Sequence, residues 1–137
     1  MRFYLPPCEQ ISDPETRLAK RPAVSLCARI ASHAAVAPHH IAVADGVVRL
    51  TYGELERQSN QLAAYLRLAG AGPEVCVGLF LERSASFVIA ALAMLKTGAA
   101  YLPLDPAVPA DRAGFILADA AAPLLLTHRG KARNLPP

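Results

Sequence analysis

A few polar residues of this chain have the types and positions that metal-binding or catalytic sites use. The histidines are the first candidates, and they are His33, His39, His40 and His128. The first three lie on either side of Pro38, and no acidic or thiol residue stands at a ligand spacing from them. We therefore predict surface or helix-capping roles for these histidines rather than a metal site.

Two charged residues are candidates for acid–base or covalent chemistry. Lys96 is the only lysine between Lys20 and Lys131, and it falls at the polar end of an apolar helical segment. A cation there complements the helix dipole, and we prefer this role to that of a catalytic amine. Glu54 is a candidate general base, but it follows Thr51 by three residues, which is the spacing of a helix capping box.

Asp105 follows a predicted strand, where the ligands of open α/β sheets gather. It lies between Pro103 and Pro106, so a structural turn is the preferred interpretation. For Tyr101, in the same strand, we expect a buried ring whose hydroxyl forms a hydrogen bond across the sheet. None of these residues makes a self-sufficient active site.

A glycine-rich stretch at residues 70–73, Gly-Ala-Gly-Pro, has the composition of a phosphate-binding loop. It follows a predicted helix instead of opening one, which indicates a C-terminal cap. The chain contains no GxxxxGK[ST], GxGxxG or GxSxG motif. The sequence therefore predicts no catalytic, cofactor-binding or metal-binding residue in this chain.

The composition narrows the class of protein. With 137 residues, 53% of them hydrophobic, the chain can form one domain or part of a larger one. The net charge of +3 comes from basic residues near the two ends, and aromatic residues make up only 6%, so a nucleic-acid surface is not expected. The longest uncharged apolar run, residues 84–95, is too short to span a membrane.

The cysteines and the N-terminus indicate the compartment. Cys8, Cys27 and Cys76 are widely spaced and odd in number, so free thiols in a reducing compartment are expected. Prolines and Glu9 interrupt any apolar core that a signal peptide would need. We therefore predict a cytoplasmic location.

The elements that position these residues follow from the apolar periodicity. We predict helices over residues 24–36, 51–69, 84–96 and 109–120, and strands over 75–81, 100–104 and 124–127. We also predict a hairpin around Asp45-Gly46, because both of these turn residues tolerate a positive φ. The strands at 75–81 and 100–104 are expected to be buried, and Phe115, Ile116 and Ala120 to face inward. Residues 1–22 are predicted to be an irregular leader, and those beyond His128 a loop.

The order of these elements predicts an α/β fold. Strands and helices alternate from residue 75, which indicates a partial doubly wound parallel sheet with right-handed crossovers, preceded by a helix and a β-hairpin. Residues 23–137 would then form one unit. Three short parallel strands leave an edge and a face uncovered, so we expect the isolated chain to be oligomeric or partly molten.

Two segments resemble core motifs of the adenylation domains of nonribosomal peptide synthetases, which belong to the AMP-binding, adenylate-forming ligase superfamily. Residues 50–55, Leu-Thr-Tyr-Gly-Glu-Leu, are similar to the first motif, and residues 95–106, Leu-Lys-Thr-Gly-Ala-Ala-Tyr-Leu-Pro-Leu-Asp-Pro, to the second. The connecting sequence also fits, so the resemblance covers roughly residues 26–128. Ile30, His33 and Thr97 stand where Phe, Gln and Ala are common.

The resemblance implies a function for a longer protein. Such enzymes use ATP and Mg²⁺ to activate a carboxylic acid and pass the acyl group to the phosphopantetheine thiol of a carrier domain. In this family the phosphate loop, the ribose-binding acid, the substrate pocket and the catalytic lysine all follow the second motif. The chain is thus identified as the N-terminal fragment of an amino-acid-activating domain, with no catalytic or cofactor-binding residue and no activity of its own. Its partners would be the rest of that domain and a carrier domain, not nucleic acid or a membrane.

Two alternatives stay open at this point. One is a fragment of a fatty-acyl or aryl-acid ligase, which is a related type of enzyme. The substrate pocket would distinguish the two types, and it lies downstream of this sequence. The other is a non-catalytic interaction module that binds the rest of a split synthetase, or a carrier protein, through an open sheet edge.

Overall fold

Two small sheets organise the chain in a computed structural model that describes residues 24–128. The first is an antiparallel hairpin of β1 (Ile41–Asp45) and β2 (Val48–Thr51). The second is parallel and contains β3 (Cys76–Phe80), β4 (Ala100–Pro103) and β5 (Leu124–Thr127). The helices of this part of the chain are α1 (Leu26–Val36), α2 (Tyr52–Leu68), α3 (Ala85–Thr97) and α4 (Ala110–Asp119). The predicted leader and terminal loop lie outside the described residues.

The parallel sheet has the strand order β4–β3–β5, which confirms the predicted doubly wound arrangement. The chain passes from β3 through α3 to β4, and then returns through α4 to β5 on the other side of β3. The middle strand β3 is buried along nearly all its length, as its continuous apolar sequence predicts.

Helices cover both faces of the parallel sheet. Val77 and Leu79 point to one face, where they join the main apolar core with residues of α2 and α3, among them Ala63 and Met94. Gly78 points to the other face, where a Cβ atom would lie 2.5 Å from Leu117 Cδ2 of α4. Glycine at this position therefore lets α4 approach the sheet closely.

The β1–β2 hairpin packs over a second, smaller core. Leu50 and Leu55 meet Leu92 of α3 there, with half-buried side chains from α1 and the hairpin around them. The predicted turn needs one correction, because Asp45 is the last residue of β1 and pairs with Val48, so the turn lies at residues 46 and 47. Of the two predicted turn residues only Gly46, at φ 58°, adopts the left-handed conformation.

Residues 70–73 form a helix C-terminal cap, as predicted. The Gly70 N–H donates to the Arg67 carbonyl at 3.0 Å and the Ala71 N–H donates to the Leu66 carbonyl at 2.8 Å. With Gly70 at φ 100°, this is the Schellman pattern, and the buried Leu66 and Ala71 supply its usual apolar contact. The Gly70 N–H is therefore used within the cap that ends α2 and is not available to an anion.

Two burial predictions are wrong. The strand β4 was expected to be buried, but it lies at the edge of the sheet, and Ala100, Tyr101 and Pro103 are exposed. Phe115 was expected to face inward with Ile116 and Ala120, but it is 72% exposed. The buried residue of α4 is Ala113, and Phe115 lies two positions away, off the inward stripe that Ile116 continues.

Candidate functional site

The loops that leave β3 and β4 diverge, because α3 and α4 lie on opposite faces of the sheet. A cleft of about 970 Å³ lies beside the carboxyl ends of these two strands, which is the edge of an open α/β sheet near which ligands bind. The topological switch point of the order β4–β3–β5 lies between β3 and β5, on the other side of β3. The lining of the cleft consists of Leu81, Glu82, Arg83, Phe87 and residues 103–106. This cleft is the best-placed candidate site in the part of the chain that the structure describes.

The N-terminus of α3 borders this cleft but is already capped. Ser84 Oγ accepts from the Phe87 N–H at 3.4 Å, and the carboxylate of Asp45 accepts from the Ala85 N–H at 3.3 Å. A carboxylate at a helix N-terminus occupies the position that a phosphate group would need and repels a second anion. The cleft therefore does not offer α3 as a phosphate site.

Asp105 also has a local structural role at this cleft. Its Oδ1 accepts from the Ala107 N–H at 2.9 Å, and its carbonyl accepts from the Val108 N–H at 2.9 Å. These bonds form an Asx turn between β4 and α4, as the flanking prolines predicted. The buried Leu81 and Leu104 and the half-buried Phe87 give the cleft one apolar wall, and Glu82 and Arg83 add charged groups to its lining.

Glu54 caps α2 as predicted. Its carboxylate accepts from the Thr51 N–H at 2.9 Å, while Thr51 Oγ1 accepts from the Glu54 N–H at 3.3 Å. The bond from the Thr51 backbone, followed by the bond from its hydroxyl, lowers the pKa of Glu54 below the ordinary carboxyl value. A carboxylate stabilised in its charged form is a poor general base, so the capping role accounts for this residue.

Lys96 forms contacts that the sequence did not predict. It lies in the last turn of α3, where a cation matches the helix dipole, but its side chain reaches across to α2. The Nζ atom lies 2.7 Å from Glu56 Oε2 and donates to Ser59 Oγ at 2.9 Å and to Asn60 Oδ1 at 2.7 Å. The feature of the sequence that could have indicated these contacts is a group of polar residues on one face of α2, next to its apolar stripe: Glu56, Ser59 and Asn60.

Arg67, near the end of α2, forms a second connection between the same two helices. Its guanidinium donates to the carbonyl of Lys96, one of the last carbonyls of α3. A cation near these groups also balances the helix dipole. The Lys96 side chain is only 10% exposed and already engaged with α2, so this cluster joins two helices and leaves no amine free for chemistry.

The histidines have surface and structural positions. His33, His39, His40 and His128 are exposed, and the ring of His33 stacks on Tyr52 with a centroid separation of 5.0 Å. The exposed positions agree with the predicted surface role, and the hydrogen bond at the end of α1, from the Ala37 N–H to the His33 carbonyl, involves only the backbone of His33. Among residues 24–128, no group of three or more His, Cys, Asp or Glu side chains is placed to share a metal ion.

The remaining candidates give one correction. Tyr101 was expected to be buried with a bonded hydroxyl, but it is 37% exposed because β4 has no outer neighbour among the described residues. Cys27 and Cys76 are free thiols, half-buried in the fold, whereas Cys8 lies outside the described residues. Within the described range, no helix is both long enough and apolar enough to cross a membrane.

The residues present do not fit a nucleotide–magnesium site. The N-terminus of α3 is closed by Asp45, residues 70–73 cap a helix C-terminus, and the described acidic residues form no metal cluster. What the described residues do form is a scaffold: capped helices, a closely packed sheet and a polar connection between α2 and α3.

Comparison with protein families and with curated proteins gives consistent matches. The model of the family described as AMP-binding enzyme matches residues 30–136. A linear gramicidin synthase of Brevibacillus parabrevis is 51% identical over 100 residues, which cover 73% of this chain and 2% of that protein. Chondramide synthase cmdD of Chondromyces crocatus is 49% identical over 108 residues, or 77% of this chain and 3% of that protein.

Comparison with solved structures gives the same family as the sequence matches. The nonribosomal peptide synthetase FmoA3, in a form bound to alpha-methyl-L-serine-AMP, superposes with a TM-score of 0.78 at 35% identity, over 85% of this chain and 13% of that one. The N-terminal subdomain of NpsA from Klebsiella oxytoca, in complex with anthranilyl-AMSN, gives a TM-score of 0.74 at 26% identity, over 82% and 29%. The chain thus spans only a small part of each relative.

Proposed function

The chain belongs to the AMP-binding enzyme family, as an N-terminal part of an adenylate-forming domain, and from that premise we propose that it serves a protein that activates an amino acid for nonribosomal peptide synthesis. The complete domain would join the carboxylate of the amino acid to the α-phosphate of ATP, releasing pyrophosphate. It would then transfer the aminoacyl group to a carrier thiol, releasing AMP. ATP, Mg²⁺ and a phosphopantetheine-bearing carrier domain are the cofactors and partner that this proposal requires.

The observation that carries the proposal is the continuous match over residues 30–136 to the AMP-binding family, with 51% identity to a linear gramicidin synthase. The motif at residues 50–55 supplies the capped start of α2, and the motif at 95–106 supplies the end of α3, β4 and the Asp105 turn. These contacts support a structural role for both motifs in this chain. We therefore assign it a scaffold role within the domain, with a cytoplasmic location, and no catalytic step.

The test is a fusion protein that joins the full 137-residue chain to the downstream remainder of the matching adenylation domain of the linear gramicidin synthase. We expect the fusion to catalyse pyrophosphate exchange that depends on an amino acid, and the 137-residue chain alone to show none. Exchange by the isolated chain, or a folded fusion without exchange, would contradict the proposal. The unfused gramicidin synthase domain is the positive control.

The two alternatives from the sequence predict different outcomes. A fragment of an acyl or aryl-acid ligase would support exchange with fatty or aryl acids when joined to the remainder of such an enzyme, and fail with the gramicidin synthase remainder. An interaction module would bind the separately expressed remainder without restoring exchange. The identities of 51% to a linear gramicidin synthase and 49% to a chondramide synthase favour the first proposal.

A further inference from the structure

We infer that α1 is a hinged cover, which opens from α2 and unwinds while the rest of the fold stays intact. Its opening exposes the Lys96 cluster, which consists of Lys96, Glu56, Ser59 and Asn60. The motion belongs to the scaffold and takes part in no step of the reaction, so it goes beyond the proposed function.

The packing of α1 is weaker than that of the other described helices. It contains no buried residue, whereas α2 contains four and α3 contains six. Its apolar anchors are Cys27 and Ile30, which are half-buried against the smaller core. Two such anchors bury little apolar surface, and the stability of a short helix in a protein comes mainly from this burial.

Two open cavities lie between α1 and α2, at positions where α1 carries alanines. One has a volume of about 580 Å³ and is lined on the α1 side by Ala31, Ala34 and Ala35. The other has a volume of about 480 Å³, and its lining includes Ala28 and again Ala31. Side chains that are too small to fill this space forfeit dispersion contacts that would otherwise hold the helix in place.

No polar bond holds α1 to its neighbours. Within residues 24–128, no hydrogen bond or ion pair joins a residue of α1 to another helix or strand. The caps of α1 are local, because Ser25 Oγ accepts from the Ala28 N–H at 3.2 Å and the Ala37 N–H donates to the His33 carbonyl at 2.8 Å. Opening therefore breaks no polar bond between elements of the described structure.

The hinge lies just after the C-terminal end of α1. There the Gly53 N–H donates to the Pro38 carbonyl at 2.9 Å, and the Tyr52 N–H donates to the His40 carbonyl at 2.9 Å. The stacking of the His33 ring on Tyr52 adds a contact at the same end of the helix. This end stays attached to the start of α2, so the N-terminal end of α1 moves furthest.

The N-terminal half of α1 lies over the Lys96 cluster. Cys27 of α1 lines the same cavity as Lys96, Glu56 and Asn60. When α1 opens, water reaches the ion pair between Lys96 and Glu56, and the higher dielectric weakens the attraction between the two charges. The position of α1 therefore controls how firmly this pair joins α2 to α3.

Amide hydrogen exchange in the folded fusion protein tests this inference. A helix of 11 residues that has left its packing is marginal in water, so opening frees its amides. We expect Ala31 and Ser32, in the middle of α1, to exchange at least about 100-fold faster than Met94 in α3. Low concentrations of urea should leave the α1 rates nearly unchanged, because local opening exposes little surface, and should accelerate exchange in α3.

Equal protection of the two helices, or an equal dependence of their exchange rates on urea, overturns the inference. Because this measurement does not depend on turnover, a folded fusion protein without pyrophosphate exchange would contradict the proposed function and still give a clear result for α1.

A variant of the α1 cap supplies a second test in the same protein. Ser25→Ala removes the side-chain cap of α1, so we expect exchange in α1 and alkylation of Cys27 by iodoacetamide to accelerate about fivefold. Alkylation of Cys76, a half-buried thiol of β3, should keep its rate. Ser32→Ala, at an exposed position of the same helix, is the matched control and should accelerate neither.

A variant that fills the space beneath α1 should have the opposite effect. Ala31→Met places a flexible apolar side chain where both cavities meet, so we expect exchange in α1 and alkylation of Cys27 to slow while exchange in α3 keeps its rate. Ser25→Ala and Ala31→Met variants that change α1 and α3 to the same extent, or that leave α1 unchanged, would overturn the inference.

Discussion

The ammonium group of Lys96 lies 2.7 Å from the carboxylate of Glu56, and this pair connects the last turn of α3 to the N-terminal half of α2. Both side chains are largely buried, with 10% and 21% of their surface exposed. The net attraction within a buried ion pair adds little to the stability of a fold. Removing one partner is costly, however, because it leaves the other charge buried without a partner. The pair therefore fixes how the two helices sit against each other.

Removing one member of this pair should destabilise the domain. We expect Lys96→Met in the fusion protein to cost about 3 kcal/mol of unfolding free energy, because Glu56 is left without its cation. The double variant Lys96→Met, Glu56→Gln should recover part of the loss. Arg57→Met, at an exposed position on the same helix, is the control and should change stability by less than about 0.5 kcal/mol. Urea denaturation measures all three, and equal effects of Lys96→Met and the control would refute the role.

Gly78 should not tolerate a side chain. A Cβ atom there would lie 2.5 Å from Leu117 Cδ2 and 2.7 Å from Leu125 Cδ1, so Gly78→Ala requires these two leucine side chains, or α4 itself, to shift. We expect a loss of about 1–3 kcal/mol, and more for Gly78→Val.

Gly72→Ala is the matched control for that substitution. A Cβ atom at Gly72 meets nothing within 4 Å, and its φ is not in the left-handed region. We expect its unfolding midpoint in urea to equal or slightly exceed that of the parent protein. A Gly78→Ala protein as stable as Gly72→Ala would show that α4 does not pack as described.

Ala121 is a position where glycine should stabilise the fold. It ends α4 with φ 46°, and the Ala122 N–H donates to the Leu117 carbonyl at 3.0 Å in the Schellman pattern. Alanine has a steric cost in this conformation that glycine avoids. We expect Ala121→Gly to raise the free energy of unfolding by roughly 0.5–1 kcal/mol. This figure already allows for the larger loss of backbone entropy that glycine undergoes on folding. Ala122→Gly, outside the left-handed region, should instead destabilise, and thermal unfolding compares the two.

The capping box should make stability depend on acid pH. Because the folded state lowers the pKa of Glu54, its contribution is present above the ordinary carboxyl pKa and is lost as the pH falls through the lower folded value. Glu54→Gln should therefore lower the free energy of unfolding at neutral pH. At a pH below the folded pKa of Glu54, the free energies of unfolding of the variant and the parent protein should be closer. A stability difference that does not change with pH would contradict this assignment.

Thr51→Ala should lower the free energy of unfolding by about 1 kcal/mol, because it removes the side-chain cap of α2.

The isolated 137-residue chain should not behave as a complete domain. Its parallel sheet has two unpaired edges among the described residues, and large apolar side chains such as Leu68 and Phe115 are exposed. We expect oligomers in size-exclusion chromatography and weak near-ultraviolet circular dichroism. A monomer with a sharp, cooperative unfolding transition would be evidence against this prediction.

Local signals in the sequence were sufficient for the elements themselves. The Thr51–Glu54 spacing predicted the start of α2, Gly98 predicted the end of α3, and the alternation from residue 75 predicted the parallel sheet. Each depends on atoms within a few residues or on the periodicity of one segment. The resemblance at residues 50–55 and 95–106 added the family, which the comparisons confirmed.

The tertiary structure alone decided which distant groups meet. The contacts of Lys96 with Glu56 and of Asp45 with the N-terminus of α3 join positions 40 residues apart in the chain, and no local rule specifies them. It also decided that Tyr101 and Phe115 are exposed, because exposure depends on whether a neighbouring element is present and not on the residue type. The sequence thus determines the elements through short-range physics, and the packing of helices on the sheet determines the contacts between them.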